Sequence, residues 1–371
     1  MSSARNDADV PDGDVLEISL FGPGYGESIL AYTGEGDWLV VDSCVTSDRK
    51  TPAALAYLAH IGVDPSTAVK LVVATHWHDD HIRGLAALYR ACTSARFVCS
   101  QALKNEDFLT LSKMAGERSL MKSSGVDEFN AILAELERRR GAPRWAMADR
   151  VLWSRGGAVP CKVWALSPSD GVVTRAFRSF SRLLQSRGSP KKRIPAPERN
   201  QGSVAILLSV GSKSILLGAD LEAGREDRGW AAVLATHAVV EGKSKIYKVA
   251  HHGSESADNP QIWTDLLLDQ PIAILTPFSR GNVHLPTESD IQRIEKRTRY
   301  LYSTARVASR RARRTTGSVA RTKREVMIRS HGLVRTPGHV RVRMNIHEPL
   351  GRVDLYDGAI SLGAACAGNV A

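Results

Sequence analysis

Short apolar runs, each closed by glycine or polar residues, set the rhythm of the first hundred positions. Val15–Phe21 alternates with the period of a strand. A glycine-rich turn over 22–28 follows, then a strand at Ile29–Tyr32, a turn at 34–37 and a strand at Trp38–Asp42. Residues 1–14 are polar and acidic and read as a disordered leader. Pro52–His60 is rich in Ala and Leu and predicts a helix, with His60 capping or lining it. Leu71–Thr75 predicts a buried strand, Gly84–Leu88 a helix returning onto the sheet, and Arg96–Ser100 another strand.

The period then changes. Leu103, Phe108, Leu111 and Met114, and after them Phe129, Ile132, Leu133 and Leu136, recur at helical spacing until Gly141 and Pro143 stop the pattern. This predicts a helical insertion over about 101–150, either a lid over the site or a pair of helices on the outer face of a sheet. Strands return at 151–153 and 163–166. Residues 175–199 are basic and rich in Pro and Ser, and predict a mobile loop. Further strands follow at 204–210, 215–220, 245–250 and 272–276, with a helix from about Thr287. Arg297–Arg324 is strongly basic and reads as a flexible arm. Alternation at 326–328, 340–346 and 353–356 predicts a small β addition.

The stretch with the densest chemistry lies just past Leu71–Thr75. His76-Trp77-His78-Asp79-Asp80-His81 places three histidines and two aspartates in six residues at a strand end, where open α/β folds place their chemistry. Imidazole and carboxylate are the ligand types of zinc, manganese and iron. Structural zinc more often recruits cysteine, and none lies nearby, so the cluster points to a catalytic metal with open positions. The glycine turn at 22–28 lacks the Lys-Ser/Thr of a phosphate loop.

Composition narrows the setting. With 371 residues, 43% hydrophobic and 24% charged, the chain can bury a sizeable core. Apolar runs fall short of the roughly 18 residues that span a bilayer. The five scattered cysteines (Cys44, Cys92, Cys99, Cys161, Cys366) and the lack of a secretory pattern at the N-terminus fit a reducing, cytoplasmic location. A net charge of +11, concentrated in the two basic stretches, points to a polyanionic partner such as nucleic acid.

The His76–His81 segment resembles the His-x-His-x-Asp-His motif of the metallo-β-lactamase fold hydrolases. The resemblance implies an α/β fold: an αββα sandwich of two mixed sheets with helices outside, here with a helical insertion and a basic C-terminal extension. It implies two divalent ions, zinc or manganese. His76 and His78 would take the first, Asp80 and His81 the second, and Asp220, ending the strand 215–220, would bridge them. The last ligand of the second site would be His251, the first residue past its strand, with His252 as fallback or substrate-facing neighbour. Asp42 would orient a ligating histidine. Two ions about 3.5–4 Å apart would activate a shared water, which Asp80 would also orient.

Asn200 and Ser203 before a strand, Leu216-Leu217 before Asp220, His251-His252-Gly253-Ser254, and Asn282 with His284 ahead of Pro286 resemble, in order and spacing, the ComEC-type competence hydrolase domain over about residues 15–300. That implies roles near substrate or ligands for Asn200, Ser203, Ser254 and Asn282, without the membrane channel of that family. One departure stands out. No histidine occurs from Ile82 to Ala219, so the third nitrogen ligand of the first site is missing. The site would then be weaker, favour manganese, or draw a ligand from elsewhere. His284 would fill in, contact phosphate or protonate a leaving group. His237, His331, His339 and His347 are not expected to be ligands. The expected substrate is a phosphodiester of DNA or RNA. The alternatives are a small ester, thioester, lactam or cyclic nucleotide, or a non-catalytic partner role. Oligomeric state is not legible.

Overall fold

The computed structural model describes residues 9–23, 26–103, 124–185, 199–236, 242–307 and 337–370. In chain order the strands of the first half are β1 (Val15–Gly22), β2 (Ser28–Tyr32), β3 (Trp38–Val41), β4 (Val69–Ala74), β5 (Arg96–Ser100), β6 (Arg144–Ala146), β7 (Arg150–Arg155) and β8 (Cys161–Ala165). The second half adds β9 (Ile206–Val210), β10 (Lys213–Leu217), β11 (Ser244–Lys248), β12 (Leu267–Leu275), β13 (Phe278–Arg280), β14 (Val283–Leu285), β15 (Leu301–Ser303), β16 (Gly338–Asn345), β17 (Gly351–Tyr356), β18 (Ile360–Ser361) and β19 (Gly368–Val370). The α-helices are α1 (Ala53–His60), α2 (Pro65–Ala68), α3 (Asp79–Ile82), α4 (Leu85–Ala91), α5 (Ser124–Arg138), α6 (Asp170–Gln185), α7 (Gly229–Thr236) and α8 (Glu288–Glu295).

Two sheets face each other. The first runs β19-β17-β16-β1-β2-β3-β4-β5-β6 and the second β18-β15-β12-β11-β10-β9-β8-β7. Each is mixed. Strands β3 to β6 are parallel, as are β10, β11, β12 and β15, and the remaining neighbours are antiparallel. Leu16, Ile18, Leu20, Leu71 and Val73 of one sheet meet Ile206, Leu208, Ile215, Leu217 and Ile272 of the other in the central core. Helices α1, α4 and α5 cover the first sheet, and α7 with Ile294 of α8 covers the second. The four layers are the αββα sandwich expected from the sequence.

The alternation in β1 has a second consequence. Its odd positions, Glu17 and Ser19, are fully buried beneath α1. Burying a carboxylate is costly unless it is paired. Glu17 accepts from Tyr57 Oη at 2.8 Å and from Arg343 Nε at 2.7 Å. Arg343 arrives on β16, which pairs with the whole of β1, so the chain's last strands are built into the first sheet and, through β18, the second.

Two expectations change, and an open alternative resolves. Residues 170–185 are helical where a loop was expected from 175, because Val172, Val173 and Ala176 form a buried stripe that the arginines masked. The basic arm expected from Arg297 begins instead as β15, with Tyr300, Leu301 and Tyr302 buried. Within the expected insertion, α5 lies on the outer face of the first sheet. Phe129, Ile132 and Leu136 are buried, and Glu128 accepts from the backbone N–H groups of Gly84 and Ala86 at 2.8 and 2.9 Å, capping α4. The end of that insertion is β6. Phe108, Leu111, Met114, the strand expected at 326–328, most of the basic arm, His237 and His331 lie outside the described residues. No helix among the described residues is long and apolar enough to cross a membrane.

Candidate metal centre

Strands β3, β4, β10, β11 and β12 end side by side, and the residues that follow them converge. Thr75 and His76 leave β4, Asp42 leaves β3, Gly218-Ala219-Asp220 leaves β10, and Thr276 leaves β12. Past β11, His252 turns into the same space. The α3 turn brings Asp80 and His81. Its backbone is tied on two sides: Asp80 O accepts from Glu27 N at 2.8 Å and His81 O from Ser43 N at 2.8 Å. The glycine turn makes the first tie possible, since a Cβ on Gly26 would stand 2.0 Å from Asp80 O. Gly218 serves the same purpose between β10 and β11, where a Cβ would meet Ala250 Cβ and Lys248 O at 2.9 Å.

Among the described residues four groups of ligand atoms have their members within 4.8 Å of one another: His76, His78 and Asp220; Asp80, His81 and His252; Asp42, His76 and His81; and Glu27, His81 and Asp220. In the first, His76 Nε2 is 3.0 Å from His78 Nδ1 and 3.6 Å from Asp220 Oδ2. In the second, His252 Nε2 is 3.4 Å from Asp80 Oδ2, and His81 Nε2 is 3.7 Å from Asp80 Oδ2 and 3.5 Å from Asp220 Oδ1. Asp220 lies between the groups, its Oδ2 3.6 Å from His76 Nε2 and 3.7 Å from His252 Nε2 and its Oδ1 toward His81. His81 Nε2, His252 Nε2 and Asp220 Oδ1 are buried without a hydrogen-bond partner among the described residues. Buried polar atoms are rarely left so. A cation between them satisfies all three, and the donor set suits zinc or manganese.

The far side of each ring is held. His81 Nδ1 donates to Asp42 Oδ2 at 2.7 Å, and His252 Nδ1 donates to Thr276 O at 2.9 Å. His76 Nδ1 lies 3.0 Å from Thr75 Oγ1, which itself donates to Asp42 Oδ2 at 2.7 Å. The Thr75 N–H donates to Asp42 Oδ1 at 2.8 Å. These contacts fix the tautomers that leave Nε2 of His81 and His252 as lone-pair donors to the centre. Asp42, Ala219, His251 and His252 all have φ between 46° and 59°. Left-handed backbone at a non-glycine residue costs on the order of 1–3 kcal/mol and clusters at functional sites.

Charges at the centre are strongly coupled. Burial opposes ionisation of Asp80 and Asp220, yet His81 and its neighbours outweigh it and hold both below the usual carboxylate range. For His81, burial is outweighed by Asp220, Asp42 and Asp80, and its pKa stands well above 6.5. His252 is raised in the same way, chiefly by Asp220 against burial. Burial dominates for His76, which is pushed well below 6.5, and for Asp42, whose carboxyl it raises.

The geometry corrects one assignment made from sequence. His252, not His251, enters the second group. Both residues are left-handed, and the turn sends His251 aside, its Nε2 3.2 Å from Asn200 Nδ2 and its Nδ1 3.1 Å from Ser256 Oγ. Asn200 also donates to Glu222 Oε1 at 3.3 Å, while its Oδ1 is buried without a partner among the described residues. Ser203 is fully buried beside Val204, whose N–H donates to Thr75 O. Ser254 caps the next turn through Ser256 N. His284 does not reach the centre: it lies on the β13–β14 hairpin against Ser279 Oγ at 2.8 Å, and Asn282 is exposed at the hairpin tip. Phe278 of that hairpin stacks on His252 with ring centroids 5.2 Å apart. His339 is buried in the first sheet and His347 is exposed, both away from the ligand groups.

Sequence reading missed Thr75, Thr276, Glu27 and Lys248. The last two left a signal: an acid opening the buried strand after a glycine turn, and a lysine inside the apolar run Ile246–Ala250. Lys248 is fully buried and pairs with Glu27 behind the centre.

Residues 21–106 match the Metallo-beta-lactamase superfamily, a span that holds β2 to β5, Asp42 and the whole His76–His81 motif. Together with the two sheets and their helices, this defines the architecture as the αββα metallo-β-lactamase sandwich. Similar solved structures include the metallo-β-lactamase fold protein YhfI from Bacillus subtilis (14% identity, 63% of this chain and 70% of that one, TM-score 0.32). They also include a metallo-β-lactamase with a HARLDQ motif from Cronobacter sakazakii (13%, 62% and 76%, TM-score 0.35). The metallo-β-lactamase SMB-1 is a third (18%, 66% and 82%, TM-score 0.33). No curated protein sequence matches the chain significantly.

Proposed function

We propose that the chain is a metal-dependent hydrolase of phosphodiesters in DNA or RNA. The observation that carries the hydrolase reading is two ligand groups with Asp220 between them, 3.6 Å from His76, 3.5 Å from His81 and 3.7 Å from His252, with Nε2 of His81 and His252 and Oδ1 of Asp220 buried and unpartnered among the described residues. His76, His78 and Asp220 would hold one cation, and Asp80, His81, His252 and Asp220 the other. Two bound cations supply Lewis acidity and a water of lowered pKa. Asp42 and Thr75 keep His81 and His76 aligned, and the Thr276 carbonyl keeps the His252 proton on Nδ1. Asp80, half-buried at the rim of the second group, would orient a water. Asn200 holds His251, which would stand beside the centre near the substrate.

The net charge of +11 supports a polyanionic substrate. The test is cleavage of single- and double-stranded DNA and RNA with manganese or zinc, beside the Asp80→Ala/His81→Ala double variant. Metal-dependent cutting lost in the variant is the expected result. Metal bound without cutting of any polymer would move the substrate to small esters or cyclic nucleotides. Failure to bind metal would leave a partner protein on this fold.

A further inference from the structure

Behind the ligands, on the core side, lies a charge pair, Glu27 and Lys248, and a carboxylate oxygen of Glu27 also falls within 4.8 Å of ligand atoms of His81 and Asp220. Lys248, the last residue of β11, is fully buried. Its Nζ pairs with Glu27 Oε1 and donates to Ala219 O at 3.2 Å. Glu27 is 1% exposed, and its Oε2 has no hydrogen-bond partner among the described residues. That carboxylate stands behind both histidines of the second group, 3.8 Å from His81 Nδ1 and 3.7 Å from His252 Nδ1. Both nitrogens already donate elsewhere, His81 to Asp42 and His252 to Thr276. Glu27 is thus an extra negative charge at the back of two ligand rings, and Lys248 is its counter-ion.

The lysine also reaches the residue before Asp220. Ala219, whose carbonyl it binds, is left-handed at φ 46° and immediately precedes Asp220. The backbone of Lys248 holds the same loop, accepting from Gly218 N at 3.0 Å. Burial opposes the charge on Lys248, but Glu27, Asp220 and Asp42 outweigh it and hold its pKa above 10.5. Replacing a buried ion pair with apolar groups is often harmless to stability, whereas breaking one is costly. A stability role alone therefore explains such a pair poorly.

We infer that Glu27 and Lys248 are positioning residues that set the affinity of the second cation: Glu27 strengthens it through the backs of His81 and His252, and the charge of Lys248 weakens it. The inference rests on the metal centre proposed above. It requires the two charges to act with opposite sign.

The experiment measures both cation affinities by competition of manganese or zinc with a chromophoric chelator. The proteins are wild type, Glu27→Gln, Lys248→Met and the double variant, each checked for folding by circular dichroism. Glu27→Gln is expected to bind the second cation about tenfold more weakly, in the range for changes around a ligand shell, with the first less affected. Lys248→Met is expected to bind it at least as tightly as wild type, and the double variant to return to within about threefold of wild type. Equal weakening in both single variants would make the pair purely structural and overturn the inference. If Lys248→Met does not fold, the other two variants decide: unchanged affinity in Glu27→Gln, or no recovery in the double variant, overturns it. Wild type that binds no cation would instead overturn the metal centre itself, and the inference with it.

Discussion

Asp42→Asn changes one atom and should disable the second metal position. The Asp42 carboxylate accepts from Thr75 N at 2.8 Å, from Thr75 Oγ1 at 2.7 Å and from His81 Nδ1 at 2.7 Å. An asparagine keeps Oδ1 for the Thr75 N–H but puts an NH2 where Oδ2 stood. That NH2 faces the donors Thr75 Oγ1–H and His81 Nδ1–H. His81 can relieve the clash by moving its proton to Nε2, the atom aimed at Asp80 and Asp220, which removes the lone pair a cation needs. Losing such an outer partner costs about 10–100-fold in affinity, or about 1.4–2.8 kcal/mol at 1.4 kcal/mol per tenfold. The assay is chelator competition with manganese and zinc, with circular dichroism to confirm the fold. Burial raises the Asp42 pKa, so ionised Asp42 is not a stabilising group by itself, and the metal-free variant should remain folded. An Asp42→Asn protein that binds two cations with wild-type affinity would refute the reasoning.

Other outcomes follow from the same contacts. His252→Ala should retain one cation per chain and His251→Ala two, as elemental analysis would read; the reverse would restore His251 as the ligand. Gly26→Ala places a Cβ 2.0 Å from Asp80 O at φ +123°, so it should displace α3, lower Tm and loosen the second cation together. A variant of unchanged Tm and affinity would contradict that close approach. The raised pKa values of His81 and His252 make their contribution to metal-free stability full below about 6.5 and lost as pH rises through the raised values. His76 and His251, lowered by burial, are neutral in both states above 6.5 and do not enter there. Metal-free Tm should fall above pH 6.5 while the stabilisation by manganese grows, because binding releases the imidazole protons. A parallel pH course with and without manganese would refute this.

Much of the sandwich could be read from local pattern. The β1 to β5 order, the motif at the end of β4 and Asp220 just past β10 all lie where a buried run meets polar residues, and the strand period fixes that point. What escaped reading depends on distant pairing. Nothing local in Asp170–Gln185 separates a helix with a narrow Val172, Val173 and Ala176 stripe from a basic loop, because the arginines outnumber the residues it buries. The same holds for Tyr300–Tyr302, whose burial depends on β12 lying alongside. His251 and His252 differ only in how two consecutive left-handed residues aim their rings, a matter of φ rather than of residue type. Glu27 and Lys248 lie far apart in sequence, and only the closeness of the β1–β2 turn to the end of β11 makes them a pair.

A shared centre requires Asp220 to serve two cations at once, with Oδ2 near His76 and His252 and Oδ1 near His81. The most direct measurement is the number of zinc or manganese ions per chain after equilibrium dialysis, for wild type and for Asp220→Asn. Two ions in wild type, with the variant losing the second and binding the first far more weakly, is the predicted result. A single ion in wild type, or two ions held unchanged by Asp220→Asn, would contradict the shared centre.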